Sequence, residues 1–162
     1  DLHSFPTRRS SDLQLVWRML MMYNKILVPT DGSEFAKKAQ DHALFLAKVS
    51  GAEIIAISVT ENHFVNGLPL EDEIYQLNEI LKERSEKNLD DFDKENDDDT
   101  IKISHIIREG SPAKVILEVA REEDVDLIVM GSSGKSGFDR FIMGSVADKV
   151  VNSAKCAVLV IH

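Results

Sequence analysis

The sequence predicts an α/β fold: a single doubly wound sheet of five parallel strands with helices on both faces. Three observations lead there. Short apolar, β-branched runs alternate with amphipathic stretches over about 140 residues, the pattern of successive strand–helix–strand crossovers. The runs are continuous rather than alternating in polarity, as expected of strands covered on both faces. No repeat and no linker divides the stretch, so one domain is expected.

The first strand is Lys25 to Pro29 (KILVP), stopped by proline and the turn Thr30-Asp31-Gly32-Ser33. Ser33 is a good N-cap for a helix with Ala36, Ala39, Ala43, Leu46 and Ala47 on one face and Gly51 as its stop. Ala52 to Thr60 is a second strand. A looser stretch, Glu61 to Leu70, leads into a long polar helix with Ile74, Leu77, Leu81, Leu89 and Phe92 on its apolar side. Ile101 to Arg108 is the third strand. Ser111-Pro112 is an N-cap followed by proline at the first helical position, with Ala113, Ile116, Leu117 and Ala120 as the buried stripe. Val125 to Met130 is the fourth strand, a glycine-rich segment follows, and Val146, Ala147, Val150 and Val151 mark a last helix. Ala157 to Ile161 closes the sheet as the fifth strand.

The chain of 162 residues carries 19 Lys plus Arg against 28 Asp plus Glu, a formal charge of −9. Thirteen acidic and four basic residues fall between Glu71 and Asp99, so the acidity is one segment and the remainder is neutral. This balance argues against nucleic acid or an anionic membrane as partner. No segment approaches the roughly 18 apolar residues a membrane span needs. A single cysteine, Cys156, cannot form an internal bridge and fits a reducing, cytoplasmic location; at the start of a buried strand it reads as a small core residue. The histidines show no metal-ligand spacing. An EF-hand counted from Asp91 fails, because Asn96 falls where the glycine belongs and Lys102 where the glutamate belongs. Residues 1–21 have no strand or helix period, and DLHSFPTRRSSDL reads as the translation of a sequencing adapter; the domain is expected over 22–162.

In open parallel sheets ligands bind beyond the carboxyl ends of the strands where strand order reverses, so the segments after Val28, Val59 and Met130 matter most. Gly131 to Ser145 reads GSSGKSGFDRFIMGS. Glycines at 131, 134 and 137 permit left-handed backbone and close approach, forming a nest for anionic oxygens. Gly144-Ser145 opens a helix whose N–H groups favour phosphate; Ser145 is placed to cap it, with Asp148 three residues on. Residues 131–155 hold Lys135, Arg140, Lys149 and Lys155 against Asp139 and Asp148, so the cradle is locally positive. Gly134-Lys135-Ser136 imitates the end of a P-loop, but the required upstream glycine is Val129, inside the strand. The first strand is followed by Pro-Thr-Asp-Gly, which excludes a dinucleotide fingerprint there.

Gly131-x-x-Gly134, nine residues, then Gly144-Ser145 resembles the nucleotide-binding signature of the universal stress protein family. VPTDGS, GSPAKVIL, DLIVMGSSGKSG and CAVLVI extend the resemblance in order from Tyr23 to His162. It implies a Rossmann-like, adenine nucleotide alpha hydrolase-like sheet in the order 3-2-1-4-5. It implies ATP with Mg2+ or Mn2+ as ligand, and a homodimer through Ala157 to Ile161. Carried over by position, Pro29, Thr30 and Asp31 contact the nucleotide, with Asp31 near the ribose and the metal–phosphate region. Val59 lines the adenine pocket, Met130 and Gly131 flank base and ribose, and Ser132, Gly134, Gly144, Ser145 and Val146 hold phosphates. Ala147 stands where the family often has Ser or Thr, which removes one hydroxyl contact. The expected role is nucleotide-dependent regulation in a stress response. A non-nucleotide interaction module of the same fold, and a slow ATP hydrolase or nucleotidyl transferase, are the other readings; no HxGH-type motif supports the last.

Overall fold

The computed structural model describes residues 22–61, 71–96, 99–133 and 143–162, with the side chains of residues 71–74 left aside. Among the described residues five strands and four helices alternate: β1 (Lys25–Pro29), α1 (Glu34–Ser50), β2 (Glu53–Thr60), α2 (Glu71–Lys94), β3 (Ile103–Glu109), α3 (Pro112–Glu122), β4 (Leu127–Gly131), α4 (Ser145–Ser153) and β5 (Ala157–Ile161). All strand pairs are parallel and their order is β3-β2-β1-β4-β5. The expected fold and strand order therefore hold.

The sheet separates two apolar layers. Ile26, Val28, Ile54, Ala56, Leu127 and Val129 face α1 and α2. Leu27, Ile55, Ile57, Ile128 and Met130 face α3 and α4. This alternation is the two-residue period of a strand buried on both sides. Helix α1 meets the sheet through Ala39, Ala43 and Ala47, whose small side chains bring its backbone close. It begins at Ser33, whose hydroxyl accepts the N–H of Ala36 at 3.2 Å, and ends at Gly51, left-handed at φ 75°. Ser111 and Pro112 start α3 as expected, without a side-chain cap bond.

Helix α2 departs from expectation. Among the described side chains its predicted apolar stripe is buried at Leu89 and Phe92 and half-buried at Leu81, whereas Leu77 is exposed, as are Tyr75 and Ile80; the side chain of Ile74 lies outside the description. The 24 residues of α2 are more than the underlying sheet can cover. The helix is pinned low, where Gln40 of α1 donates through Nε2 to the Phe92 carbonyl at 3.1 Å. Its first half therefore stands above the C-terminal edge of the strands.

At the opposite edge, Asp126 joins the two central strands. Its Oδ2 accepts the N–H groups of Asn24 at 2.7 Å and Lys25 at 3.0 Å, and its own N–H donates to the Lys25 carbonyl at 3.0 Å. Partial burial opposes its charge, but those two N–H donors outweigh that cost and hold the carboxyl below the usual aspartate range. A carboxylate depressed in the folded state stabilises above its unfolded pKa, and that contribution disappears as pH falls through the folded value. Asp126→Ala is expected to lose about 1–3 kcal/mol in urea unfolding at pH 7. The gap from the parent should narrow as pH drops below about 3.9; an unchanged gap at pH 3 contradicts the assignment.

Candidate functional site

The sheet order turns back between β1 and β4, which pair through Ile26 with Leu127 and Leu27 with Ile128. The C-terminal ends of these two strands are built differently. Beyond β1, Thr30 is buried and its N–H donates to the Ile57 carbonyl at 2.8 Å, carrying the ladder one residue past Pro29. Gly32 then takes φ 75°, a conformation glycine accepts without penalty. Asp31 Oδ1 accepts the Ser33 N–H at 2.9 Å, so one carboxylate oxygen shapes the turn while the exposed side chain faces outward.

Beyond β4, Gly131 answers to packing. A Cβ there would lie 2.7 Å from the Phe35 carbonyl carbon and 2.8 Å from its Cβ, so only glycine lets the strand end against the first turn of α1. Its φ is not positive, so of the left-handed backbone and the close approach that a glycine permits, this position uses the close approach. Ser132 is buried and bonds on both sides: its N–H donates to the Ile161 carbonyl at 2.7 Å, and its carbonyl accepts the Gly144 N–H at 2.7 Å. These two bonds tie the end of β5 and the start of α4 to one residue.

The N-cap of α4 is Gly144, not Ser145 as expected; Ser145 is the first helical residue. Gly144 is extended, at φ −64° and ψ 155°, and a Cβ on it would approach the Ser132 oxygen to 3.2 Å. The cap makes no side-chain bond. The capping-box expectation for Asp148 also gives way: its N–H donates to the Gly144 carbonyl at 2.9 Å, and its Oδ1 accepts from Asn152 at 3.1 Å. An α-helix leaves its first N–H groups without intrahelical acceptors. At α4 no cap side chain competes for them, and their dipoles point toward the tips of β1 and β4.

The remaining predicted residues divide. Met130 is buried, and Val59 and Val146 pack on the same cluster, all on the α3/α4 face; Pro29 follows Leu27 onto that face. Ala147 is buried among these residues, so a hydroxyl at this position would point into the core. Gly134, together with Gly137, Lys135 and Arg140, lies outside the described residues. Cys156 is half-buried, and burial pushes its thiol up, consistent with a packing role. Among the histidines, His105 Nε2 lies 3.0 Å from Asp93 Oδ1 while His42 and His162 are exposed; His3 and His63 fall outside the described residues. Sequence reasoning missed Phe35, Ile57 and Ile161, because each acts through its backbone and leaves no signal in residue type.

Among the described residues no helix is long and apolar enough to cross a membrane. Residues 22–162 match the universal stress protein family. Universal stress protein MJ0531 of Methanocaldococcus jannaschii is 41% identical over 140 residues, covering 86% of this chain and 82% of that protein. The solved structure of MJ0577, from the same organism, is 33% identical with a TM-score of 0.76, covering 86% of this chain and 96% of its own. A universal stress protein solved in complex with cAMP is 26% identical, with a TM-score of 0.56, covering 87% of this chain and 98% of its own. The tip geometry, the strand order and these matches over the whole domain lead to one conclusion: the chain belongs to the universal stress protein family.

Proposed function

We propose that this protein binds an adenine nucleotide, ATP with Mg2+ or Mn2+, at the C-terminal edge of β1 and β4, and acts in the cytoplasm as a nucleotide-dependent regulator of a stress response. The observation that carries the reading is the uncapped N-terminus of α4, drawn against the β4 tip by the Gly144 to Ser132 bond. Phosphate oxygens would take the N–H groups of Ser145 and Val146, with Ser132, Gly134 and Gly144 completing the cradle. Pro29, Val59 and Met130 end adjacent strands on the α3/α4 face, where Val59 and Pro29 supply apolar surface beside a base and Met130 its backbone. Asp31 stands exposed in the turn beyond β1, where its carboxylate would suit a ribose hydroxyl or water on a phosphate-bound cation. Among the described residues no group of three His, Cys, Asp or Glu side chains converges on one point, so a divalent ion here would be carried by the nucleotide's own phosphates. The relative with bound cAMP supports adenine nucleotide as the ligand class.

A homodimer through β5 is part of the same reading. β5 is an edge strand, and its half-buried Val158, Leu159, Val160 and Ile161 leave apolar surface at a free edge, which a second copy would cover.

Equilibrium titration of the full chain with MgATP is expected to give saturable binding, weakened at least about tenfold by Gly144→Val; no binding to the parent at millimolar ATP overturns the reading. Gly131→Ala should act on stability, lowering unfolding free energy by about 1–3 kcal/mol through its collision with Phe35. Sedimentation equilibrium is expected to return twice the 18.1 kDa chain mass. Val160→Lys should return the single-chain mass with an unchanged circular dichroism spectrum; a parent that sediments as one chain refutes the β5 dimer.

A further inference from the structure

Helix α4 and strand β5 are tied to each other at both ends. At the C-terminal edge of the sheet both are held by Ser132, only 2% exposed: its N–H donates to the Ile161 carbonyl and its carbonyl accepts the Gly144 N–H, each at 2.7 Å. At the opposite edge only Ala154, Lys155 and Cys156 lie between the helix and the strand, and the Ala154 N–H still donates to the Val150 carbonyl at 2.8 Å. Between these two ties, Val158 and Val160 of β5 pack on the buried cluster that holds Ala147 and Val150 of α4. A shift of β5 is therefore carried to α4, because close-packed side chains and so short a connection leave little slack to absorb it.

The two members of this unit meet different partners. The first N–H groups of α4 face the phosphate cradle, whereas β5 is an edge strand whose ladder runs to β4. Ile161 is half-buried, and the His162 carbonyl beyond it accepts a long bond, 3.4 Å, from the exposed Lys38 Nζ. This end of β5 is thus placed to open at low cost. Opening it releases the Ser132 N–H, and Ser132 is the residue that positions Gly144. A second copy on the free edge adds another row of main-chain bonds to β5 and raises the cost of that opening.

We propose that pairing of β5 with a second copy regulates the nucleotide site: the dimer holds the N-terminus of α4 in its binding position and takes the nucleotide more tightly than the single chain does. This regulation presupposes both nucleotide binding at α4 and the β5 dimer, and it joins the two thermodynamically. Fixing the end of β5 supplies in advance part of the ordering that phosphate binding at α4 requires. The coupling is reciprocal, so bound nucleotide strengthens β5 pairing. With one site per chain and both sites of a dimer alike, saturation tightens the dimer by the square of the factor by which dimerisation tightens each site.

The test uses the full chain without substitution. Its dimer dissociation constant is read by sedimentation without nucleotide, and MgATP is then titrated at protein concentrations about tenfold above and about tenfold below that value. The dimer is expected to bind at least about fivefold more tightly, and saturating MgATP to lower the dimer dissociation constant at least about 25-fold. Hydrogen exchange without nucleotide reads the structural link directly: the Ser132 and Gly144 amides should exchange at least about fivefold more slowly in the dimer than in the dilute chain. MgATP affinities within about twofold of each other, a dimer constant that MgATP leaves unchanged, or equal exchange of both amides in the two states would each overturn the proposal. A protein that binds no MgATP, or that sediments as one chain at every concentration, refutes the nucleotide or the dimer reading and this coupling with it. Equal affinity in a protein that both binds and dimerises refutes the coupling alone.

Discussion

The contact on which this end of the molecule depends is between two backbones: the tip of β4 at Gly131 against the first turn of α1 at Phe35. With any side chain at 131 the strand would be held off the helix, because the atoms in its way are a carbonyl carbon, a carbonyl oxygen and a Cβ that cannot rotate aside. Closing that gap brings the Thr30–Ser33 turn beside the β4 tip. Ser132 then gathers β5 through Ile161 and α4 through Gly144. Four elements meet within a few residues, held by main-chain groups that are indifferent to most substitutions.

Much of this was legible in the residues. Continuous apolar runs marked the strands because each is covered on both faces, and Ser33, Gly51 and Pro112 punctuated the helices by their own chemistry. The strand order came through the resemblance carried by VPTDGS and the glycine spacing. What stayed hidden depends on the approach of distant backbones. Gly131 is a glycine for steric reasons and not for its φ, and Gly144 displaces Ser145 as the cap because Ser132 holds its N–H. The stripe on α2 misled for another reason. Periodicity reports which side of a helix is apolar, not how far the neighbouring sheet extends beneath it.

The two faces of the sheet also divide the chemistry. On the α3/α4 face, apolar side chains and unpaired helix N–H groups favour a ligand with both a flat ring and phosphates. On the α1/α2 face, helices rich in charge leave a polar cleft in which Lys37, Arg84 and Lys87 stand among Glu83, Asp91 and Glu95.

Helix α2, continuous in geometry, is two units in stability. From Ser85 to Phe92 it is locked by burial and by Gln40, and its opening requires loss of the α1/α2 layer. From Tyr75 to Arg84 its side chains are exposed except for the half-buried Leu81, and a helical stretch of that length is marginal in water on its own hydrogen bonds alone. Burial along this one helix therefore falls from the turn held by Phe92 toward the turn of Tyr75, and local opening is expected to cost less in the same direction. Tyr75, Leu77 and Ile80 sit on the less buried side of that gradient, exposed apolar side chains on the turns that tertiary packing anchors least.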